Sequence, residues 1–400
     1  MPWNEIRVIF SSAKNECHNF LLLLTTPIRI SKLRYFSLFT LMSVLLIYYG
    51  APAHAVCGFN QTAEYTANAT RNFTVPFVAN TTISVPAGAA IGQVIYEQEI
   101  QIKNFEPVQI KCDSAGNFFF NYSYGVLPKP PLSTDSAVYE TNIEGIGIKF
   151  NVNSTVKIPY TSTSISGCTN STTCVPTTTW YYPVQFSLIK TASTVSPGVI
   201  SADSLPSIIF NLGQSNNMVA LHNVKLTGGI TITVPTCDVS PASGSMSIKM
   251  GTHDVTAFSG IGTGTPWKDA SIMLVNCTRF YGSTSSSVAS FNGSKNTPTG
   301  VLANNEWAVT LTPYSNIIDS TLGIMDIDDD PMRATGIGIQ LSASSSTSGV
   351  VDLSRAAMGP MPNDGSPNIT IPLFARYVQT QNKVYAGKAN GKLVYTVTYQ

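Results

Sequence analysis

GKANGKLVYTVTYQ, Gly387 to Gln400, closes the chain, and its reading decides the fold. The odd positions carry Ala389, Gly391, Leu393, Tyr395, Val397 and Tyr399; the even ones carry Lys388, Asn390, Lys392, Val394, Thr396 and Thr398. An apolar row at every second residue is the pattern of a half-buried β-strand. The chain stops one residue after Tyr399, so this strand has no downstream partner. It is either the ordinary last strand of a β-sandwich or an edge offered to a strand of another protein.

The rest of the chain has the composition of an all-β protein. Four hundred residues suffice for two or three domains. Only 11% are charged and the net charge is +1, which excludes the basic excess of a nucleic-acid binder. Helical periodicity is absent, and short alternating runs recur between Gly, Pro, Asn and Ser clusters. In the first half these runs are Phe73–Val78, Thr82–Val85, Gln93–Ile102, Val108–Cys112, Asn117–Tyr124, Gly147–Val152, Ser154–Pro159, Val184–Lys190 and Ser207–Leu212. Gly228 and Gly229 then break the pattern. The second half offers Ser245–Met250, Ala270–Val275, Trp307–Leu311, Gly336–Leu341, Ile369–Pro372, Phe374–Gln379 and the terminal strand. GIGIKF from Gly145 to Phe150 and GIGIQL from Gly336 to Leu341 form a weak internal repeat, each late in its half. The expected organisation is a ligand-binding domain over 56–227, a linker over 228–233 and a second sandwich over 234–400.

The N-terminus carries a targeting signal. Lys32 and Arg34 precede an apolar run from Phe36 to Tyr49, and Ala53-His54-Ala55 is a cleavage site of the A-x-A kind. Residues 1–55 are thus read as an extension plus signal peptide cut before Val56, with translation expected to start downstream of Met1. Removing Cys17 leaves six cysteines in an exported chain, an even number suited to three disulfides. Proximity favours Cys57–Cys112, Cys168–Cys174 and Cys237–Cys277, although sequence alone leaves the connectivity open.

Enzyme chemistry finds little support. The mature chain has two histidines, His222 and His253, one in each expected domain, and neither G-x-S-x-G nor P-loop patterns occur. No metal site or cofactor is expected. Gly260 to Gly264 lacks a following helix and reads as a turn, and Asp326 to Asp330 lacks the glycine and distal glutamate of an EF-hand and reads as a solvated loop. A sugar site needs aromatic faces for the ring and amide or carboxylate groups for its hydroxyls. Trp180, Tyr181 and Tyr182 form one candidate cluster; Asp135, Tyr139, Glu140 and Asn142 form another. Three consecutive aromatics on a strand put at least one outward, which singles out Tyr181.

The glycine fourteenth from the end, the alternating row and the penultimate tyrosine resemble the C-terminal motif of chaperone–usher pilus subunits. ITVPTCDVS, from Ile232 to Ser240, is similar to the start of a pilin domain. The resemblance implies two pilin-like, immunoglobulin-like sandwiches, the second incomplete and completed by a donated strand. Gly387, Leu393, Tyr395, Val397, Tyr399 and Gln400 would then face a periplasmic chaperone and later an adjacent fimbrial subunit, after passage through an outer-membrane usher. Cys57 stands directly behind the cleavage site, leaving no N-terminal extension to donate, which implies a position at the fimbrium tip. The reading is a tip adhesin exported through the periplasm to the cell surface and binding a host or environmental glycan. The alternative is a non-adhesive or protein-binding tip subunit that initiates assembly.

Overall fold

A computed structural model describes residues 56–102, 107–113, 115–165, 173–174 (backbone only) and 182–400. The signal segment 1–55, Cys168, Trp180 and Tyr181 lie outside the described residues, and with them the expected Cys168–Cys174 bridge.

The described chain is almost entirely β, and its buried apolar side chains gather into two cores. The first lies between two sheets. One sheet runs in the order Asn296–Pro298, Ser287–Phe291, Val94–Ile100, Val184–Lys190, Ile146–Val152, Val138–Glu140. The other runs Tyr160–Thr161, Phe119–Tyr124, Ile208–Gln214, Asn217–Thr227, Arg71–Pro76. Val184–Lys190 is buried along its whole length, as a central strand should be. Tyr124 bridges the two sheets, its ring 4.8 Å from Tyr139 and 6.2 Å from Phe150.

Asn217–Thr227, at 11 residues, is the longest strand and was not expected from sequence. A bulge explains the miss. Phe210 pairs with His222 and Asn211 with Ala220, so Leu221 is an extra residue in the ladder. Burial runs over Val219 and Leu221, then shifts phase to His222, Val224 and Leu226. No period of two survives across the strand.

The second core is enclosed by three smaller sheets. Ile272–Val275 lies between Asp238–Val239 and Ile369–Ile371. Phe374–Gln379 lies between Lys268–Asp269 and Ile337–Ser342, which continues through Ile324–Met325 to Ile317–Asp319. Glu306–Pro313 lies between Ala357–Pro360 and the terminal strand Leu393–Tyr399. Disulfides join Cys57 to Cys112, directly opposite each other on paired strands, and Cys237 to Cys277.

The short internal repeat marks equivalent units. Gly145 and Gly336 both hold positive φ, 83° and 82°, where a side chain would strain the backbone. Each carbonyl accepts from a threonine N–H at 2.8 Å, Thr191 and Thr380, just past the strand that pairs with the repeat.

Two expected strands take a different form. The terminal strand begins at Leu393, because residues 387–392 are engaged elsewhere: Lys388 exchanges backbone bonds with Met332 and Ala334, and the Asn390 carbonyl accepts from Asp328. Ser245–Met250 keeps its alternation, with Met246, Ile248 and Met250 half-buried, but pairs with no strand among the described residues.

Candidate functional sites: an unpaired edge and a receptor face

The terminal strand pairs with Glu306–Pro313 in unbroken register from Trp307–Tyr399 to Pro313–Leu393. Its other edge has no ladder partner among the described residues. Leu393, Tyr395, Val397 and Tyr399 turn half-buried toward the second core, and Val394, Thr396 and Thr398 face outward. Tyr399 packs edge-on against Phe280 at 5.5 Å. The Tyr395 hydroxyl donates to the Ser243 carbonyl at 2.6 Å. Burial raises the pKa of both phenols, so both stay neutral at physiological pH.

Ser243 anchors the other side of this region. It lies in a short helix, Pro241–Gly244, capped by the Ser240 hydroxyl, and its own hydroxyl accepts from the Met273 N–H at 2.9 Å. The chain then runs extended through Met246, Ile248 and Met250, half-buried against the core that receives the terminal strand. The free edge of the terminal strand and an extended segment that joins no sheet among the described residues therefore border one apolar surface. Proteins normally cover such edges, and the arrangement suits an added strand.

Gly387 serves a different local need. A Cβ there would meet the Ala334 nitrogen at 2.4 Å, so glycine lets the chain pass the Arg333–Ala334 backbone. Gln400 exchanges backbone bonds with Glu306 at 2.8 and 2.9 Å, which fixes the last residue of the ladder. The nearby acidic run is matched by cations: Arg333 pairs with Asp326 at 2.5 Å and Lys388 with Asp330 at 3.2 Å. Among the described residues no cluster of metal-ligating side chains occurs.

The candidate sugar-binding residues are dispersed in the first region. Asp135 is exposed, accepts from the Ala137 N–H at 3.0 Å and lies 3.6 Å from Lys157; the turn N–H bond, then Lys157, holds its carboxyl below the usual range. Tyr139 is buried against Tyr124, leaving no free aromatic face for a ring. The Asn142 amide is committed to the fold: it donates to the Val199 carbonyl and accepts from the Ser201 N–H and the Ser204 hydroxyl. Tyr182 is 47% exposed and borders a cleft of about 40 Å³. Ile100, Ile102, Tyr122, Val184, Phe210 and His222 are among the residues lining that cleft, and the Tyr122 hydroxyl donates to the Tyr182 carbonyl at 3.2 Å. Sequence reasoning singled out neither Tyr122 nor the cleft. The only available signal was the alternation Phe120, Tyr122, Tyr124, which reads equally well as core.

The structure thus presents a closed sandwich with a small apolar cleft bordered by exposed Tyr182, and a second β region with a free strand edge. Comparison with known proteins gives the family. Residues 79–224 match the model of the MrkD-like receptor binding domain, and residues 224–400 match the model of the fimbrial protein family. The chain belongs to the fimbrial proteins, with a MrkD-like receptor-binding domain followed by a fimbrial domain, the two matches together spanning residues 79–400. These families consist of binding and structural proteins, and fimbrial adhesins are exported to the cell surface. No curated protein matches the chain. Among solved structures, the CupB6 tip adhesin of Pseudomonas aeruginosa is 15% identical, with 86% of this chain and 94% of that chain covered and a TM-score of 0.31. The receptor binding domain of the adhesin MrkD1P of Klebsiella pneumoniae is 16% identical, covering 47% and 100%, with a TM-score of 0.28. The CsuC–CsuE chaperone–tip adhesion subunit complex of Acinetobacter baumannii is 11% identical, covering 86% and 100%, with a TM-score of 0.21.

Proposed function

We propose that the first domain, residues 56–227, binds a glycan on a host or environmental surface, and that the second, residues 234–400, is assembled by strand addition. The carrying observation is the free outer edge of Leu393–Tyr399 and the extended segment Ser245–Met250, which joins no sheet among the described residues, over one half-buried core. A periplasmic chaperone inserts a strand between them. An adjacent fimbrial subunit replaces that strand once the complex reaches the outer-membrane usher. Leu393, Tyr395, Val397 and Tyr399 line the apolar floor.

The glycan reading rests on exposed aromatic surface at Tyr182, next in sequence to Trp180 and Tyr181. Asp135 is the exposed acidic candidate for sugar hydroxyls, whereas burial of Tyr139 and the bonds of Asn142 give those two a supporting role. The test is a glycan array probed with the full mature chain recovered from an oxidising periplasm. Selective binding that Tyr182→Ala or Trp180→Ala removes, with recovery unchanged, supports the reading. A folded chain that binds no glycan overturns it and directs the search to protein receptors.

A further inference from the structure

The first core is finished by residues that belong to the fimbrial match. Ser287–Phe291 runs parallel to Val94–Ile100, with Ser290 beside Glu99 and Phe291 beside Ile100, and Asn296–Pro298 folds back on it as a hairpin. Val288 and Phe291, 7% and 2% exposed, are members of the first core although they follow Cys277 in sequence. Backbone bonds cross the junction both ways: Gln101 donates to the Phe291 carbonyl at 2.8 Å and Thr284 to the Ile95 carbonyl at 3.0 Å. Side chains reinforce it. Gln98, fully buried, donates to Asn296 Oδ1 at 3.0 Å, and the Ser290 hydroxyl donates to Glu99 at 2.8 Å. Without the hairpin, Val94–Ile100 would be an open edge and buried Gln98 would lose a partner.

Both ends of this excursion are rooted in the second core. Phe280, just before it, packs on Tyr399. Glu306, just after it, begins the strand that pairs with the terminal strand. At its base, Ser84 of the first region donates to the Gly282 carbonyl at 3.0 Å, and Tyr281 donates to the Ser84 hydroxyl at 2.8 Å. Residues 55–400 accordingly pack as one compact unit.

We propose that the Ser287–Pro298 hairpin is a clasp, an intramolecular strand donation that locks the receptor-binding domain to the fimbrial domain. It goes beyond strand addition at the terminal edge and stands whether or not the ligand is a glycan. Its consequence is mechanical. A pull arriving through the terminal strand passes along Glu306–Pro313 into the hairpin, and from there into the sheet of the receptor-binding domain. The Val234–Thr236 connection does not carry it alone.

The test is a cut-chain experiment on the full mature protein. A protease site is inserted between Pro235 and Thr236, the chain is cleaved, and the fragments are run by size exclusion without denaturant. The clasp requires that they co-elute, and that Phe291→Asp in the same background lets them separate. Separation of the fragments with Phe291 intact overturns the proposal, as does co-elution that Phe291→Asp leaves unchanged. Hydrogen exchange on the uncut wild-type chain provides a readout that no folding defect can obscure. The Gln101 and Thr284 amides should exchange within about 10-fold of the core amide of Phe186. Exchange of both at the rate of exposed loop amides overturns the clasp equally.

Discussion

The two cores solve the same problem in opposite ways. In the first region the seven-strand sheet is finished within the chain, even at the cost of borrowing a hairpin from more than 180 residues downstream of its partner strand. In the second region Leu393–Tyr399 is paired along one edge only and Ser245–Met250 pairs with no strand among the described residues, over a core they leave half-buried. Strand chemistry is alike in the two, since both alternate apolar and polar residues. They differ in whether a covering strand is found among the described residues. Under the proposed strand addition, it is this free edge that would let the chain be joined into a fibre.

The largest effect should come from breaking the unfinished side. Tyr395→Asp with Tyr399→Asp places two charges on the half-buried row and removes the bond to Ser243 and the packing on Phe280. Each large apolar side chain buried there is worth roughly 1.5–3 kcal/mol, and a buried unpaired carboxylate adds a penalty of its own. The expected outcome is loss of the protein from the periplasm, measured as yield on co-expression with the chaperone. Thr396→Asp, on the outward face of the same strand, should leave that yield unchanged. Normal recovery of the double variant would contradict strand addition at this edge.

The disulfides give a more even comparison. Cys57–Cys112 and Cys237–Cys277 span 55 and 40 residues. Loop-closure entropy then assigns each about 4 kcal/mol. Replacing either pair with serine should lower the denaturant midpoint of its own region by a similar amount. A difference of more than about 2 kcal/mol between the two pairs, read by region-resolved hydrogen exchange, would show that native-state strain or denatured-state structure outweighs loop length.

What the sequence made legible follows from how local each signal is. The terminal row is a period of two within one strand, and it could be read to the residue from Leu393 onward. Gly145 and Gly336 could be matched because a positive φ before a strand needs glycine whatever lies around it. The Asn217–Thr227 strand was hidden by the extra residue at Leu221, which changes the phase half-way along. The hairpin was hidden because Ser287, Ala289 and Ser290 carry small side chains, and its partner lies in the other half of the chain. The receptor face was the least legible. Asp135, Tyr139 and Asn142 are close in sequence, yet Tyr139 points into the core and Asn142 is tied to Val199 and Ser204. The cleft joins residues as far apart as Ile100 and Val224, which no local pattern could connect.

Acid should separate the two regions, although by less than the substitutions above. His222 lies buried in the first region, its ring 5.0 Å from that of Phe73. Burial, helped by the charge of Arg71, pushes its pKa down to about 4 from 6.5. A histidine depressed in this way is neutral in the folded state over a range in which the unfolded chain already binds a proton. Its contribution is fully present above pH 6.5 and is lost as pH falls from about 6.5 to about 4, by about 3 kcal/mol at most. In the second region the carboxylates depressed on folding include Asp254, Asp269 and Asp319, held low by N–H and hydroxyl groups of their own turns. Their contribution persists until pH falls below the ordinary carboxylate value of 3.8. Hydrogen exchange at pH 7 and pH 4.5 should therefore show Asn217–Thr227 losing protection while Ile337–Ser342 and Phe374–Gln379 keep theirs. His222→Leu should flatten the first response and leave the second alone. If both regions lose protection together and the variant changes nothing, His222 is not the acid-sensitive group, and the asymmetry between the two cores does not extend to pH.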